Sequence, residues 1–91
     1  MTELRRVTIR VEGLVQGVNF RQAARQQAIR LGITGLARNE PDGSVTIEAE
    51  GEAAAIARFV AWCGHGPEHA RVSAIAVADG PLVGYPGFAR I

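Results

Sequence analysis

The stretch Gly13-Leu14-Val15-Gln16-Gly17-Val18-Asn19-Phe20-Arg21 joins a predicted strand to a predicted helix through a loop with a glycine at each end. Upstream of it, Val7, Ile9 and Val11 alternate with polar residues, which is the period of a half-buried strand. Downstream, five apolar residues fall on one helical face: Phe20, Ala23, Ala24, Ala28 and Leu31. The pattern predicts a strand, a glycine-bounded loop and an amphipathic helix.

Arg21 stands in the first turn of that helix, where the positive end of the helix dipole favours acidic side chains. A cation there, next to a loop whose backbone amides can point inward, is typical of a site built around an anion. Phosphate is the anion we expect from this arrangement. An exposed helix residue beside an ordinary tight loop is the alternative for Arg21 alone.

The rest of the chain predicts an α+β fold of the ferredoxin-like βαββαβ type, with both helices packed on one face of an antiparallel sheet. We expect residues 1–91 to form a single domain. The remaining predicted elements are an extended run at 33–40, a turn at Pro41-Asp42-Gly43, a strand at 45–49, a helix at 52–63, a strand at 72–77 with a slipped phase, and an edge strand within 84–91.

Composition limits the classes of function. The 91 residues carry a net charge of +1, so no strong field favours nucleic acid or a membrane surface. All ten basic side chains are arginine, which excludes a Walker lysine and a Schiff-base lysine. Cys63 is the sole cysteine, and neither a signal peptide nor an apolar run of membrane-spanning length is recognisable. We therefore expect a cytoplasmic protein, and a monomer.

A second motif, Gly35-Leu36-Ala37-Arg38-Asn39, precedes the turn and is followed by Gly43-Ser44-Val45. With the first stretch it resembles the acylphosphatase family, whose signatures are a G-x-V-Q-G-V-x-F-R loop and a glycine-aromatic-x-x-asparagine strand. Leu36 departs from that pattern, where an aromatic residue is usual. Because side chains alternate along a strand, Leu36 and Asn39 should point to opposite faces, so we expect this change to affect packing more than chemistry.

The resemblance implies an enzyme that hydrolyses small-molecule acyl phosphates without a metal ion or other cofactor. Phosphate or sulfate would compete as anions, and the Arg21 guanidinium would add a bidentate contact to the phosphoryl group. Asn39 would hold the attacking water. The implied phosphate-binding groups are the backbone amides of Gln16, Gly17, Val18, Asn19, Phe20 and Arg21.

Other interpretations stay open. Cys63, His65 and His69 have a spacing loosely compatible with zinc, and the acidic residues of 48–52 could hold magnesium, although the first two are better explained as solvated surface. Asn39 alone could bond to local backbone. A non-catalytic module is the alternative function, either regulatory and anion-binding or RNA-binding, but the central strands lack the aromatic residues on which bases stack.

Overall fold

The computed structural model describes residues 3–91, which form five strands and two helices. Strand order in the sheet is β4-β1-β3-β2-β5; all neighbours are antiparallel except β5, which runs parallel to β2. The predicted fold class is confirmed, and the predicted edge strand makes the sheet mixed. The elements are β1 (Leu4–Leu14), α1 (Phe20–Arg30), β2 (Thr34–Asn39), β3 (Val45–Glu52), α2 (Ala53–Cys63), β4 (Arg71–Gly80) and β5 (Phe88–Arg90).

The two faces of the sheet follow from the alternation within its strands. Ile9 of β1 pairs with Ile47 of β3, which pairs in turn with Ala37 of β2, and all three are fully buried. Both helices contribute to the same core, with Phe20 of α1 and Phe59 of α2 as the largest buried side chains. This helix-covered face is the core, and the opposite face carries the polar side chains of the strands.

A bulge explains the slipped phase in β4. Glu12 pairs with Ala74 but Gly13 pairs with Val72, so Ser73 is an extra residue on β4. Gly13 has a φ of +126°, and a Cβ at this position would lie 2.1 Å from the Arg71 carbonyl oxygen. Only glycine allows β1 to approach β4 this closely.

The β2–β3 hairpin closes over the predicted turn. The Glu40 amide donates to the Ser44 carbonyl at 2.8 Å, and the Gly43 amide donates to the Glu40 carbonyl at 3.1 Å. Asp42 accepts from both the amide and the hydroxyl of Ser44, as turn aspartates commonly do. The hairpin places Asn39 directly before the turn and opposite Val45.

The segment 81–87 crosses the polar face of the sheet, because β4 and β5 lie at opposite edges and have to be joined. The Glu50 carboxylate accepts hydrogen bonds from the amides of Val83 and Gly84. The Tyr85 hydroxyl donates to Glu48 and accepts from Arg6 Nε at 2.9 Å. Glu48 and Glu50 are therefore half-buried partners of this segment, and the expectation that they are solvated surface is wrong.

Candidate active site

The loop between β1 and α1 has a backbone conformation that leaves its amides unused. Gly17 and Asn19 both lie in the left-handed region, with φ values of +74° and +66°. Asn19 is the N-cap of α1, and its side chain makes no capping hydrogen bond. Within residues 3–91, the amides of residues 16–22 donate to no backbone or side-chain acceptor. Seven consecutive donors at the positive end of a helix dipole are thus free to bind an anion.

Arg21 follows in the first turn of α1, which contains no acidic residue. Its Nη1 donates to the Ile91 carbonyl at 2.6 Å, and the Ile91 amide donates to the Ala37 carbonyl at 2.9 Å. Farther along α1, Arg25 Nε donates to the Phe88 carbonyl at 3.1 Å. The C-terminal strand therefore orients the Arg21 guanidinium, a contact that the sequence motif did not indicate.

Asn39 is the last residue of β2 and lies on the helix-covered face, two residues beyond the buried Ala37. Its side chain is exposed, and it borders the same pocket as the first residues of α1. Leu36 lies on the other face, where it lines a shallow apolar depression with Tyr85 and Pro86. The one departure from the family pattern is thus located away from Asn39.

The two sequence motifs meet at one pocket of roughly 220 Å³. Arg21 and Asn39 both line it, although 17 residues lie between them in the chain. Gln16 and Val18 do not line it; Val18 packs against the core, and the Gln16 side chain bonds to the hairpin. Three residues outside the predicted site complete the lining: Val15, Gln22 and Arg90. The full set is Val15, Gly17, Asn19, Phe20, Arg21, Gln22, Asn39 and Arg90.

The pocket is electropositive because two arginines and no carboxylate line it. The nearest acidic residues are in the hairpin turn and are already engaged. Hydrogen bonds from Ser44, followed by the bond from Arg10, hold the pKa of Asp42 well below its usual range. Hydrogen bonding to Thr46 and then to Arg38 lowers the pKa of Glu40. Both carboxyl groups are ionised at neutral pH, so neither can serve as a protonated general acid.

The alternative zinc ligands are not brought together. Cys63 is fully buried in the core, and burial raises the pKa of its thiol, which disfavours the thiolate that a metal needs. His65 and His69 are exposed, and His65 Nδ1 lies 3.1 Å from the Gly66 carbonyl oxygen. Across residues 3–91, no three His, Cys, Asp or Glu side chains are grouped so that they could hold a metal ion.

Neither helix of this described part is long and apolar enough to cross a bilayer.

Comparison with known proteins gives the family. The Acylphosphatase family model matches residues 7–89. An acylphosphatase of Rubrobacter xylanophilus is 48% identical over 90% of this chain and 74% of its own length. One from Anaeromyxobacter sp. strain Fw109-5 is 51% identical over 92% of this chain and 90% of its own. The solved structure of an acylphosphatase from Coxiella burnetii superposes with a TM-score of 0.94 at 32% identity, over 97% of this chain and 93% of that one.

This chain belongs to the acylphosphatase family. The resemblance carried by the two motifs is confirmed, and so is the expected enzyme class, a hydrolase that acts on acyl phosphates. The family match also includes the hairpin and both helices, so the motifs occur in the structural context that their function requires.

Proposed function

We propose that this chain hydrolyses the carboxyl–phosphate bond of acyl phosphates without a metal ion, using the Gln16–Arg21 loop to bind the phosphoryl group and Asn39 to position water. One observation carries the proposal. Arg21 and Asn39 come from separate motifs, yet both line one electropositive pocket beside a loop with unbonded amides.

Binding of the phosphoryl group follows from the donors at the end of α1. The amides of residues 16–21 and the helix dipole attract its equatorial oxygens. Because Nη1 of Arg21 already donates to Ile91, the Nε and Nη2 edge of the guanidinium is available for a bidentate contact. Free phosphate or sulfate presents the same oxygens, so either ion competes with the substrate.

Hydrolysis then needs positioning more than proton transfer. The side-chain amide of Asn39 orients a water molecule in line with the scissile bond. The water oxygen bonds to phosphorus, the phosphorus–oxygen bond to the acyl group breaks, and its electron pair leaves on the carboxylate. That leaving group is weakly basic and needs no general acid, while a phosphoryl oxygen accepts the proton of the water.

The test compares Arg21→Ala with Asn39→Ala in hydrolysis of benzoyl phosphate, with and without a chelator. Arg21→Ala abolishes both turnover and inhibition by phosphate, because the anion loses its guanidinium. Asn39→Ala loses turnover by about 10²-fold or more but keeps phosphate inhibition. The proposal is wrong if Asn39→Ala retains near-normal turnover or if the chelator abolishes activity. Phosphate binding without any turnover in the unaltered protein would support the regulatory alternative.

We also propose that residues 1–91 act as one domain, as a monomer, in the cytoplasm. A single core that includes both helices and four of the strands supports the first point. Cys63 is buried and unpaired, which suits a reducing compartment. Light scattering coupled to gel filtration tests the monomer, and a dimer mass would contradict it.

A further inference from the structure

The side chain of Gln16 makes a pair of contacts that the phosphate-binding role of its backbone amide does not explain. Its Nε2 donates to the Glu40 carbonyl at 2.8 Å and to the Ser44 carbonyl at 2.9 Å. Both amide hydrogens are thus used, and both acceptors are main-chain oxygens of the β2–β3 hairpin. The residue is half-buried between the loop and the hairpin.

The two acceptors face each other one residue pair beyond Asn39, at the turn end of the hairpin. Glu40 follows Asn39 directly in the chain, and Ser44 directly precedes Val45, the cross-strand partner of Asn39. One side chain therefore joins the loop to both arms of the hairpin turn, next to Asn39.

The sheet by itself couples these two regions only indirectly. The loop follows β1, Asn39 ends β2, and β3 lies between those strands. Among the hydrogen bonds of residues 3–91, those of Gln16 alone connect the loop of residues 15–19 to the hairpin turn. Without them, the distance from loop to hairpin depends on packing through β3 and α1.

We propose that Gln16 is a positioning residue that sets the distance between the bound phosphoryl group and the water held by Asn39. This inference rests on the proposed function. In-line attack requires the reacting atoms to be about 3–3.5 Å apart, and a misplacement of about 1 Å can cost 10²-fold in rate. Binding of the anion alone makes no such demand on Asn39, so Gln16 governs turnover and leaves phosphate affinity unchanged.

The hairpin does not need Gln16 in order to close. The Glu40 carbonyl also accepts from the Gly43 amide, and the Ser44 carbonyl also accepts from the Glu40 amide. Each oxygen keeps one backbone partner when Gln16 is replaced, so neither is left unsatisfied. A variant without the side-chain donors is therefore expected to fold.

Gln16→Met tests the proposal, because methionine is neutral and similar in length but cannot donate. We expect kcat for benzoyl phosphate to fall about tenfold or more and the inhibition constant of phosphate to stay within about twofold. Gln26→Met is the matched control, since Gln26 is exposed on α1. It should change neither quantity.

A double-mutant cycle with Asn39→Ser then shows whether Gln16 acts through Asn39. In the Asn39→Ser background, Gln16→Met should cause almost no further loss of kcat. Unchanged kcat, parallel loss of kcat and phosphate affinity, multiplicative effects in the cycle, or failure of Gln16→Met to fold would each overturn the inference. Absence of hydrolysis by the unaltered protein would instead refute the proposed function.

Discussion

The two faces of the sheet differ in how their arginines are neutralised. On the polar face, Arg6 donates to Glu48 at 3.1 Å, and Arg38 donates to Glu40 at 2.9 Å. At the pocket on the helix-covered side, Arg21 donates to the backbone oxygen of Ile91, and no Asp or Glu side chain contributes to the lining.

The same residue type therefore serves two purposes. The positive charge of arginines that face carboxylates is largely neutralised, and one of them, Arg6, also bonds to Tyr85 of the segment 81–87. The arginines of the pocket keep more of their positive potential because no Asp or Glu side chain lines it. Arginines without a carboxylate partner therefore indicate the candidate binding site better than the number of arginines does.

Arg21→Lys should impair substrate binding at the pocket without affecting the polar face. A lysine ammonium cannot donate to Ile91 and also bind two phosphoryl oxygens side by side, so we expect kcat/KM for benzoyl phosphate to fall by about 10²–10³-fold. The unfolding free energy should change little. Arg30→Lys, at the exposed last turn of α1, is the matched control. A loss below about tenfold would mean that positive charge alone suffices.

Sequence alone predicted most of the fold because its signals are local. Alternation marked β1 and β3, apolar spacing marked both helices, and Pro41-Asp42-Gly43 marked the hairpin turn. Strand order and direction depend on distant residues, and three-residue β5 carries too little pattern to reveal that it runs parallel to β2. The path of 81–87 follows from strand order, which explains why the partners of Glu48 and Glu50 were missed.

Phosphate should stabilise the protein through the pocket alone. At free phosphate 100 times its dissociation constant, linkage predicts a gain of about 2.7 kcal/mol in unfolding free energy. Arg21→Ala should abolish this gain, and a variant of the polar face should retain it. Urea titrations at matched ionic strength, with chloride as the control anion, measure the difference. Equal stabilisation of Arg21→Ala would place the anion elsewhere.

For the candidate site, the sequence predicted Arg21 and Asn39 but not the residues that support them. Both come from specific motifs, and both line one pocket. Arg90 and the Ile91 carbonyl were missed, since no local pattern indicates that β5 reaches α1. The Gln16 side chain was missed for the same reason, because its acceptors are main-chain atoms 24 and 28 positions away.

Tyr85→Phe should weaken the polar face and leave the pocket unchanged. The substitution removes the hydroxyl that donates to Glu48 and accepts from Arg6, so we expect a loss of about 1–2 kcal/mol in unfolding free energy. Activity should stay within about twofold, because the tyrosine lies on the opposite side of the sheet. Val83→Ala, an exposed position in the same segment, controls for general effects on it. A fall in kcat beyond about twofold would show that the two faces of the sheet are coupled.

The smallest effect is the pH dependence that the polar face adds to stability. Hydrogen bonding from Tyr85, with a further contribution from Arg6, lowers the pKa of Glu48 below its ordinary value of 4.5. The unfolded chain therefore takes up the proton more readily than the folded one. The stabilisation is complete above about pH 4.5 and is lost as the pH falls through the lower folded-state pKa.

Replacement of the carboxyl group isolates that contribution. Glu48→Gln should be less stable than the unaltered protein at neutral pH but should lose less of its remaining stability between about pH 5 and pH 3. Urea midpoints measured across this range give the two slopes. Asp42 is held by Ser44 and Arg10, whereas the partners of Glu48 are Arg6, Arg38 and Tyr85, so we expect the contribution of Asp42 to cancel in the difference. Parallel slopes would mean that Glu48 does not titrate differently on folding, and the polar face would then stabilise the protein by packing instead of by charge.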